Sequence, residues 1–237
     1  PPFFYHPPPP THDPLWSRGL GDVYKRQKLG LSGVMKLPLY EKLLNDLHSI
    51  DYNGMVLFSG ESEPLLHKRL DRLIRLTKST LPQSQIEVNT NGDLLTIDKL
   101  KALFDSGLDT ISISMYDGSH QIDQFSMLRD EAGLTSEQVL LRRRYFKDDN
   151  YGINMTNRGG LVDSDAFSPN KNNASNGSSK FPIEQECYYP FYMLTVDVGA
   201  NVTICSHDWA KNYVVGNFAK TLSLIHISEP TRPERIG

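Results

Sequence analysis

Short polar segments that follow apolar runs hold the side chains with the clearest chemical potential in this chain. The first segment carries two carboxylates, Glu61 and Glu63, beside the flexible Gly60. Carboxylates and exposed backbone carbonyls accept hydrogen bonds, so this segment could bind an amine. The alternative is an ordinary strand-to-helix turn in which Pro64 takes the first helical position.

Two later segments offer complementary groups. Asn91-Gly92 is a common turn signal, and it could equally face a ligand. Arg158 lies between Asn157 and two glycines, and its planar guanidinium matches a ligand carboxylate; a surface turn is the alternative. The two cysteines, Cys187 and Cys205, fit a disulfide, part of a metal site or inert core thiols.

The elements that must position these groups follow from the hydrophobic pattern. Helical stripes run from Leu39 to Ile50 and from Leu66 to Ile74, a third helix begins at the N-cap Thr96, and Thr135-x-x-Gln138 resembles a capping box before a charged helix. Strands are expected near 54–59, 85–89, 109–114 and 151–156. This alternation predicts an α/β fold with a parallel sheet, whose sites gather at the carboxyl ends of the strands.

The remainder of the chain predicts a separate small unit. Residues 163–180 are a polar, low-complexity stretch that reads as a linker. Beyond it, apolar segments on both sides of Gly199-Ala200-Asn201 predict a β-hairpin.

Composition excludes some function classes. A net charge of −3 gives no electrostatic reason to expect nucleic acid, and Arg142-Arg143-Arg144 is interpreted as a solvated helix face. No apolar stretch approaches the length of a membrane span.

Both ends of the chain look foreign. Residues 222–232 correspond to a translation of a common transposase-type sequencing adapter, and residues 17–27 correspond to its opposite strand. We therefore expect 1–27 and 222–237 to be adapter-derived, to contribute few core contacts, and to be excluded from reasoning about the fold.

Taken in order, the motifs resemble the radical SAM enzymes that carry a C-terminal SPASM-type auxiliary cluster domain. Phe58-Ser-Gly-Glu-Ser-Glu-Pro-Leu-Leu-His67 is similar to the family's Gly-x-Gly-Glu-Pro loop, with Ser62 where a second glycine is commoner. Asn89-Thr-Asn-Gly92, Ile111-Ser-Ile-Ser114 and Asn157-Arg-Gly-Gly160 resemble later strand ends. Cys187, Gly199 and Cys205 resemble the opening of the SPASM domain.

The resemblance implies a partial (βα)6-type barrel over 28–162, lacking its first strand and cluster loop, and a truncated SPASM-like unit over 181–221. It implies that S-adenosylmethionine is bound by Gly60, Glu61, Ser62, Glu63, Asn91, Ser112, Ser114 and Arg158. It also implies that Cys187 and Cys205 approach each other as partial ligands of an auxiliary [4Fe–4S] cluster.

The implied parent enzyme cleaves S-adenosylmethionine reductively at a [4Fe–4S] cluster and uses the 5′-deoxyadenosyl radical to abstract a substrate hydrogen. A peptide or a small molecule would be the substrate, flavodoxin or ferredoxin would supply electrons, and the compartment would be the cytoplasm. The hallmark Cys-x-x-x-Cys-x-x-Cys is absent, so this chain is expected to be inactive by itself.

Two other readings remain open at the level of the sequence. One is a non-redox α/β binding or hydrolytic module with structural cysteines. The other is a small zinc-binding protein that uses Cys187, Cys205 and His207, although Cys-x-His is an unusual ligand spacing.

Overall fold

The computed structural model describes residues 33–59, 63–144, 188, 190, 193–206, 208 and 211–220. The helices are α1 (Leu37–Ser49), a short 3₁₀ turn (Pro64–Leu66), α2 (Leu70–Thr80), α3 (Ile97–Asp105) and α4 (His120–Glu131). The strands are β1 (Val56–Phe58), β2 (Ile86–Thr90), β3 (Thr110–Met115), β4 (Val139–Arg143), β5 (Thr195–Val196), β6 (Asn201–Thr203) and β7 (Val214–Asn217).

Strands β1 to β4 form one parallel sheet in the order β1-β2-β3-β4. This confirms the predicted α/β class and the strands expected near 54–59, 85–89 and 109–114. Helices α2, α3 and α4, which connect consecutive neighbouring strands, pack on one side of the sheet, as the usual right-handed crossover requires. These helices therefore leave the other side of the sheet uncovered.

The two faces of this sheet differ sharply in chemistry. Alternate residues of a strand point to opposite faces. One face carries apolar side chains that pack with the helices into the main core, which includes Ile74, Ile86, Val88, Leu100, Ile111, Ile113, Met115, Phe125 and Val139. The opposite face carries the polar side chains Glu87, Asn89, Thr110, Ser112, Ser114 and Arg142. We call these six residues the polar face.

Local signals fix the helix ends. The Thr96 hydroxyl accepts a hydrogen bond from the Lys99 amide at 3.2 Å, which confirms the predicted N-cap. Helix α1 ends with hydrogen bonds from the amides of Asp51 and Tyr52 back to the last turn, and Asp51 adopts the left-handed φ of 54°.

One expected helix is a strand instead. The capping-box bonds of Thr135 and Gln138 do form, at 3.0 and 3.3 Å, but they close a turn that leads directly into β4. The preceding helix is α4, which ends at Glu131. The interpretation of Arg142-Arg143-Arg144 as a helix face is therefore wrong, because β4 includes Arg142 and Arg143 and pairs in parallel with β3.

The predicted hairpin is confirmed as the antiparallel pair β5–β6, to which β7 adds a third strand. Its buried residues Ala200, Val202 and Phe218 pack against the apolar side of α1, including Leu39 and Leu43. Helix α1 also packs against the parallel-sheet unit, because its residues Tyr40 and Leu44 belong to a further apolar cluster with Leu81, Phe58 and Leu73.

Several predictions fall outside the described residues: the strand at 151–156, the linker at 163–180 and the adapter-derived ends. Among the helices of the described ranges, none is long and apolar enough to cross a membrane.

Candidate functional site

The carboxylate of Glu63 joins the first and second strand ends. Its Oε1 accepts hydrogen bonds from the Leu65 amide at 3.0 Å and from the Thr90 hydroxyl at 2.6 Å. Its Oε2 accepts from the Asn91 amide at 2.9 Å. Glu63 is therefore joined to the end of β2, and it lies beside Asn91, with which it was predicted to act.

The turn after β2 depends on Gly92. Its φ is +80°, a region that side chains with a Cβ rarely adopt, and a Cβ there would lie 2.6 Å from Cζ of Phe125. The Gly92 amide donates to the Thr90 hydroxyl at 3.0 Å. Asn91 closes the turn, because its Oδ1 accepts from the Asp93 amide at 3.0 Å and its Nδ2 donates to Asp93 Oδ2 at 2.8 Å.

Acidic groups accumulate at this edge of the sheet. Desolvation raises the pKa of Asp93, and the charges of Asp117 and Glu63 raise it further. Each of the three carboxylates follows the carboxyl end of a parallel strand, or lies in the loop that does. The edge therefore has a negative potential that favours a cationic group such as an ammonium or a sulfonium.

A first hydrogen-bonded row crosses the polar face near that edge. Asn89 donates through Nδ2 to the Ser59 hydroxyl and accepts at Oδ1 from the Ser114 hydroxyl, both at 3.3 Å. The row connects the ends of β1, β2 and β3, and it consists of neutral groups that can both donate and accept.

A second row crosses β2, β3 and β4. The buried Ser112 hydroxyl donates to Glu87 Oε1 at 2.9 Å and accepts from Arg142 Nε at 3.0 Å. Arg142 Nη2 also lies 3.4 Å from Glu87 Oε1. The side chain of Glu87 is 11% exposed and that of Arg142 is 45% exposed, so the arginine is the member of this row that a ligand can reach.

Sequence reasoning missed Glu87, Asn89 and Arg142 as candidate site residues. The signal was present for the first two, because β2 alternates Ile86 and Val88 with Glu87 and Asn89. Arg142 could not be found, because its segment was interpreted as a helix.

The structure locates some of the expected S-adenosylmethionine residues. Glu63 contacts Asn91 directly, whereas Ser112 and Ser114 lie on the polar face and bond to Glu87 and Asn89. The remaining cofactor candidates, Gly60, Glu61, Ser62 and Arg158, lie outside the described residues, as does the expected cluster ligand Cys187.

Cys205 follows β6 in the small sheet, and its carbonyl accepts from the Asp208 amide at 3.2 Å. His207 also lies outside the described residues, so the zinc reading is not tested. Within the described ranges, no three His, Cys, Asp or Glu side chains are grouped so as to hold a metal ion.

The chain is similar to known proteins over most of its length. It is 29% identical over 208 residues to the S-adenosyl-L-methionine-dependent 2-deoxy-scyllo-inosamine dehydrogenase of Niallia circulans, covering 87% of this chain and 72% of that protein. A shorter match, 34% identical over 83 residues, joins 35% of this chain to 23% of a tungsten-containing aldehyde ferredoxin oxidoreductase cofactor-modifying protein of Pyrococcus furiosus.

Solved structures of BtrN share the fold. The chain superposes on BtrN in complex with AdoMet and 2-DOIA with a TM-score of 0.66 and 26% identity, covering 84% of this chain and 71% of that one. An open conformation of BtrN gives a TM-score of 0.57 at 22% identity, covering 83% and 69% of the two chains. No family model matches the chain.

These findings correct the expected family. The identification as a radical SAM enzyme with a SPASM-type domain is wrong as an assignment, since no family model matches and the similar proteins carry neither designation in their names. What the chain is similar to is an S-adenosyl-L-methionine-dependent dehydrogenase.

Proposed function

We propose that this chain is the S-adenosylmethionine-binding and substrate-binding part of an enzyme that oxidises an alcohol of a small polyhydroxylated molecule. The observation that carries the proposal is the likeness to BtrN in complex with AdoMet and 2-DOIA. The 29% identity to a dehydrogenase of an aminocyclitol supports the same reaction class.

The carboxyl edge of the sheet suits S-adenosylmethionine. The cofactor carries a positive sulfonium and an ammonium, and the carboxylates of Glu63, Asp93 and Asp117 give this edge a negative potential. In this proposal Glu63 acts by fixing the turn after β2, because both of its oxygens already accept hydrogen bonds. The expected contacts of Gly60, Glu61, Ser62 and Arg158 with the cofactor remain part of the proposal.

The residues of this chain do not fit an iron–sulfur cluster. Such clusters are held by several cysteine thiolates, and the sequence has two cysteines. Grouped metal-binding side chains are also absent from the described ranges. The proposal therefore includes no step at a cluster for this chain, and it includes no flavodoxin or ferredoxin partner.

A small molecule is favoured over a peptide as the substrate. The named substrate of the similar dehydrogenase is a small aminocyclitol, and the polar face presents closely spaced hydroxyl, amide and guanidinium groups. Groups of this kind match ring hydroxyls, which also donate and accept. We retain a partial barrel over 28–162 and a small β unit over 181–221 as the proposed domain division.

Binding measurements test the proposal. Isothermal titration of the chain with S-adenosylmethionine should give saturable binding, and addition of 2-deoxy-scyllo-inosamine to that complex should give a second saturable step. Asn91→Ala should weaken cofactor binding because the turn after β2 loses its closing hydrogen bonds. Glu137→Gln, an exposed change on the loop before β4, is the matched control. Absence of cofactor binding by the folded, unmodified chain would reject the proposal.

A further inference from the structure

The second row of the polar face holds an ion pair between the buried Glu87 and the half-exposed Arg142. Such a pair contributes little net stability, because desolvation of the Glu87 carboxylate and solvent screening of Arg142 offset the attraction between the charges. A charged pair across β2 and β4 therefore calls for a reason other than packing.

Arg142 is held from one side and open on the other. A guanidinium has five N–H donors, and within the described part of the chain Arg142 uses Nε on Ser112 and Nη2 on Glu87. Its side chain remains 45% exposed. Because these two bonds fix the planar guanidinium, its remaining N–H donors point away from Ser112 and Glu87, and a ligand oxygen can accept from them.

The charge balance of this row selects the class of ligand. Glu87 offsets the charge of Arg142 at 3.4 Å, and the adjacent row of Ser59, Asn89 and Ser114 is neutral. An anionic ligand such as a phosphate ester could pair with Arg142, the only cation of this row. The adjacent Glu87 carboxylate would repel that ligand. A neutral hydroxyl group can accept from Arg142 and donate to Asn89 without that repulsion.

We propose that Arg142, positioned by Glu87 and Ser112, binds a ring hydroxyl of a neutral or amino-bearing polyol and so determines substrate specificity. The inference rests on the proposed function and names the group that recognises its substrate class. Ser114 and Asn89 lie on the same face, one strand and two strands from Arg142, and they would receive the neighbouring hydroxyl.

The test compares binding of cofactor and polyol by matched variants. The chain saturated with S-adenosylmethionine is titrated with 2-deoxy-scyllo-inosamine, with scyllo-inositol and with an inositol monophosphate. For Arg142→Met we expect the affinities for 2-deoxy-scyllo-inosamine and for scyllo-inositol to fall about tenfold or more, because a charge-assisted hydrogen bond to a ring hydroxyl is lost. The affinity for S-adenosylmethionine should stay within about twofold of the parent value.

Two further variants make the result decisive. Arg142→Lys keeps a cation opposite Glu87 but loses the planar fork, so it should fold even where Arg142→Met does not, and it should still lose several-fold in polyol affinity. Arg143→Gln changes the next residue of the same strand, whose side chain lies on the opposite face, and it should bind both polyols as the parent does.

The outcomes separate the two proposals. Equal polyol affinity in the parent and in both Arg142 variants overturns the inference, as does tighter binding of the monophosphate than of scyllo-inositol. Loss of S-adenosylmethionine affinity in Arg142→Lys also overturns it, because Arg142 would then serve the cofactor. A parent chain that binds S-adenosylmethionine but no polyol rejects the inference alone, and one that binds neither rejects the proposed function with it.

Discussion

Glu63 and Asn91 are joined by a 2.9 Å hydrogen bond from the Asn91 amide to the Glu63 carboxylate, across 28 positions of sequence. The same carboxylate accepts from the Thr90 hydroxyl and from the Leu65 amide. A residue whose position in the loop predicted ligand binding is thus committed to holding two strand ends together. The carboxylate of Glu63 therefore fixes the local geometry of this edge of the sheet.

Replacing Glu63 should therefore cost stability before it costs affinity. Glu63→Ala leaves the Thr90 hydroxyl and the Asn91 amide without their acceptor, and we expect a loss of about 2 kcal/mol in the free energy of unfolding. Glu63→Gln keeps an acceptor oxygen and should lose about half as much. Urea denaturation measures both. Glu41→Ala, an exposed change on α1, is the control. A Glu63→Ala variant as stable as that control would contradict a stabilising role for the hydrogen bonds of Glu63.

Gly92→Ala should be strongly destabilising for two separable reasons. The left-handed φ of +80° costs a Cβ-bearing residue about 1 kcal/mol. The added methyl would also lie 2.6 Å from Cζ of Phe125 and 2.9 Å from Cγ2 of Ile113, so the total should reach about 3 kcal/mol.

The chain supplies a matched control for Gly92. Gly133 has a similar φ of +74° and nothing within 4 Å of an added Cβ, so Gly133→Ala should show the backbone cost alone. Chemical denaturation of both variants should differ by about 2 kcal/mol. Equal losses in the two variants would mean that the core around Phe125 relaxes to accept the methyl.

Much of the parallel sheet could be predicted because β2 and β3 carry strong local patterns. Ile86 and Val88 alternate with polar residues, and an N-cap at Thr96 follows the second strand at the expected distance. The prediction of a helix where β4 lies was wrong. The capping-box bonds between Thr135 and Gln138 do form, but they are equally compatible with a turn that leads into a strand. Local hydrogen bonds did not identify the element that follows, whereas pairing with β3 did.

The candidate site was predictable only where neighbours along the chain carry it. The turn at Asn91 was predicted because Asn-Gly marks a turn, and the φ of Gly92 explains that composition. Arg142 is brought to Glu87 across 55 positions of sequence, through the pairing of three strands. No local sequence pattern encodes a contact over that separation, so the row of Glu87, Ser112 and Arg142 could be identified only from the structure.

Asp51→Gly should stabilise the protein. Asp51 follows α1 with a φ of 54°, where glycine carries no steric penalty, and its amide closes the helix end by bonding to the His48 carbonyl at 3.0 Å. We expect a gain of about 0.5 to 1 kcal/mol in the free energy of unfolding, and a smaller gain for Asp51→Asn. Thermal and urea melts would record it. A loss of stability in Asp51→Gly would show that the side chain contributes more than its backbone strain costs.

Asp93→Asn should also stabilise, and its effect should depend on pH. Desolvation and the nearby charges of Asp117 and Glu63 raise the pKa of Asp93 above its ordinary 3.8. The folded state therefore binds this proton more tightly than the unfolded state, and stability is lost as the pH rises from 3.8 through the folded pKa. The asparagine variant avoids that loss and keeps the oxygen that accepts from Asn91.

The gain for Asp93→Asn should be no more than about 0.5 kcal/mol at pH 7, because the side chain is exposed and solvent screens its charge. It should vanish below pH 3.8, where Asp93 is protonated in both states. Urea melts across that pH range, with Glu137→Gln as a control, test the sign. A gain that increases on acidification would be inconsistent with a raised pKa.

Asp197→Asn should destabilise the small antiparallel sheet, with the opposite dependence on pH. Burial raises the pKa of Asp197, but hydrogen bonds from Lys211 and Asn201 outweigh it, so the pKa lies below its ordinary 3.8. The Lys211 ammonium is 2.6 Å from Asp197 Oδ2, and the two side chains are 9% and 10% exposed. Removing the carboxylate charge leaves a buried cation, at a cost of about 2 kcal/mol near neutral pH.

The stability that Asp197 contributes is present above pH 3.8 and is lost as the pH falls through its lowered folded pKa. The difference between the parent and Asp197→Asn should therefore be constant near neutrality and shrink in acid. Asp46→Asn breaks the more exposed pair with Lys42 on α1 and should cost about 0.5 kcal/mol or less. Because the small sheet packs on α1 through Ala200 and Val202, unfolding followed by urea melts should report the Asp197 loss in the global transition. A loss no larger than that of Asp46→Asn would show that the other interactions of Lys211 compensate for the lost carboxylate.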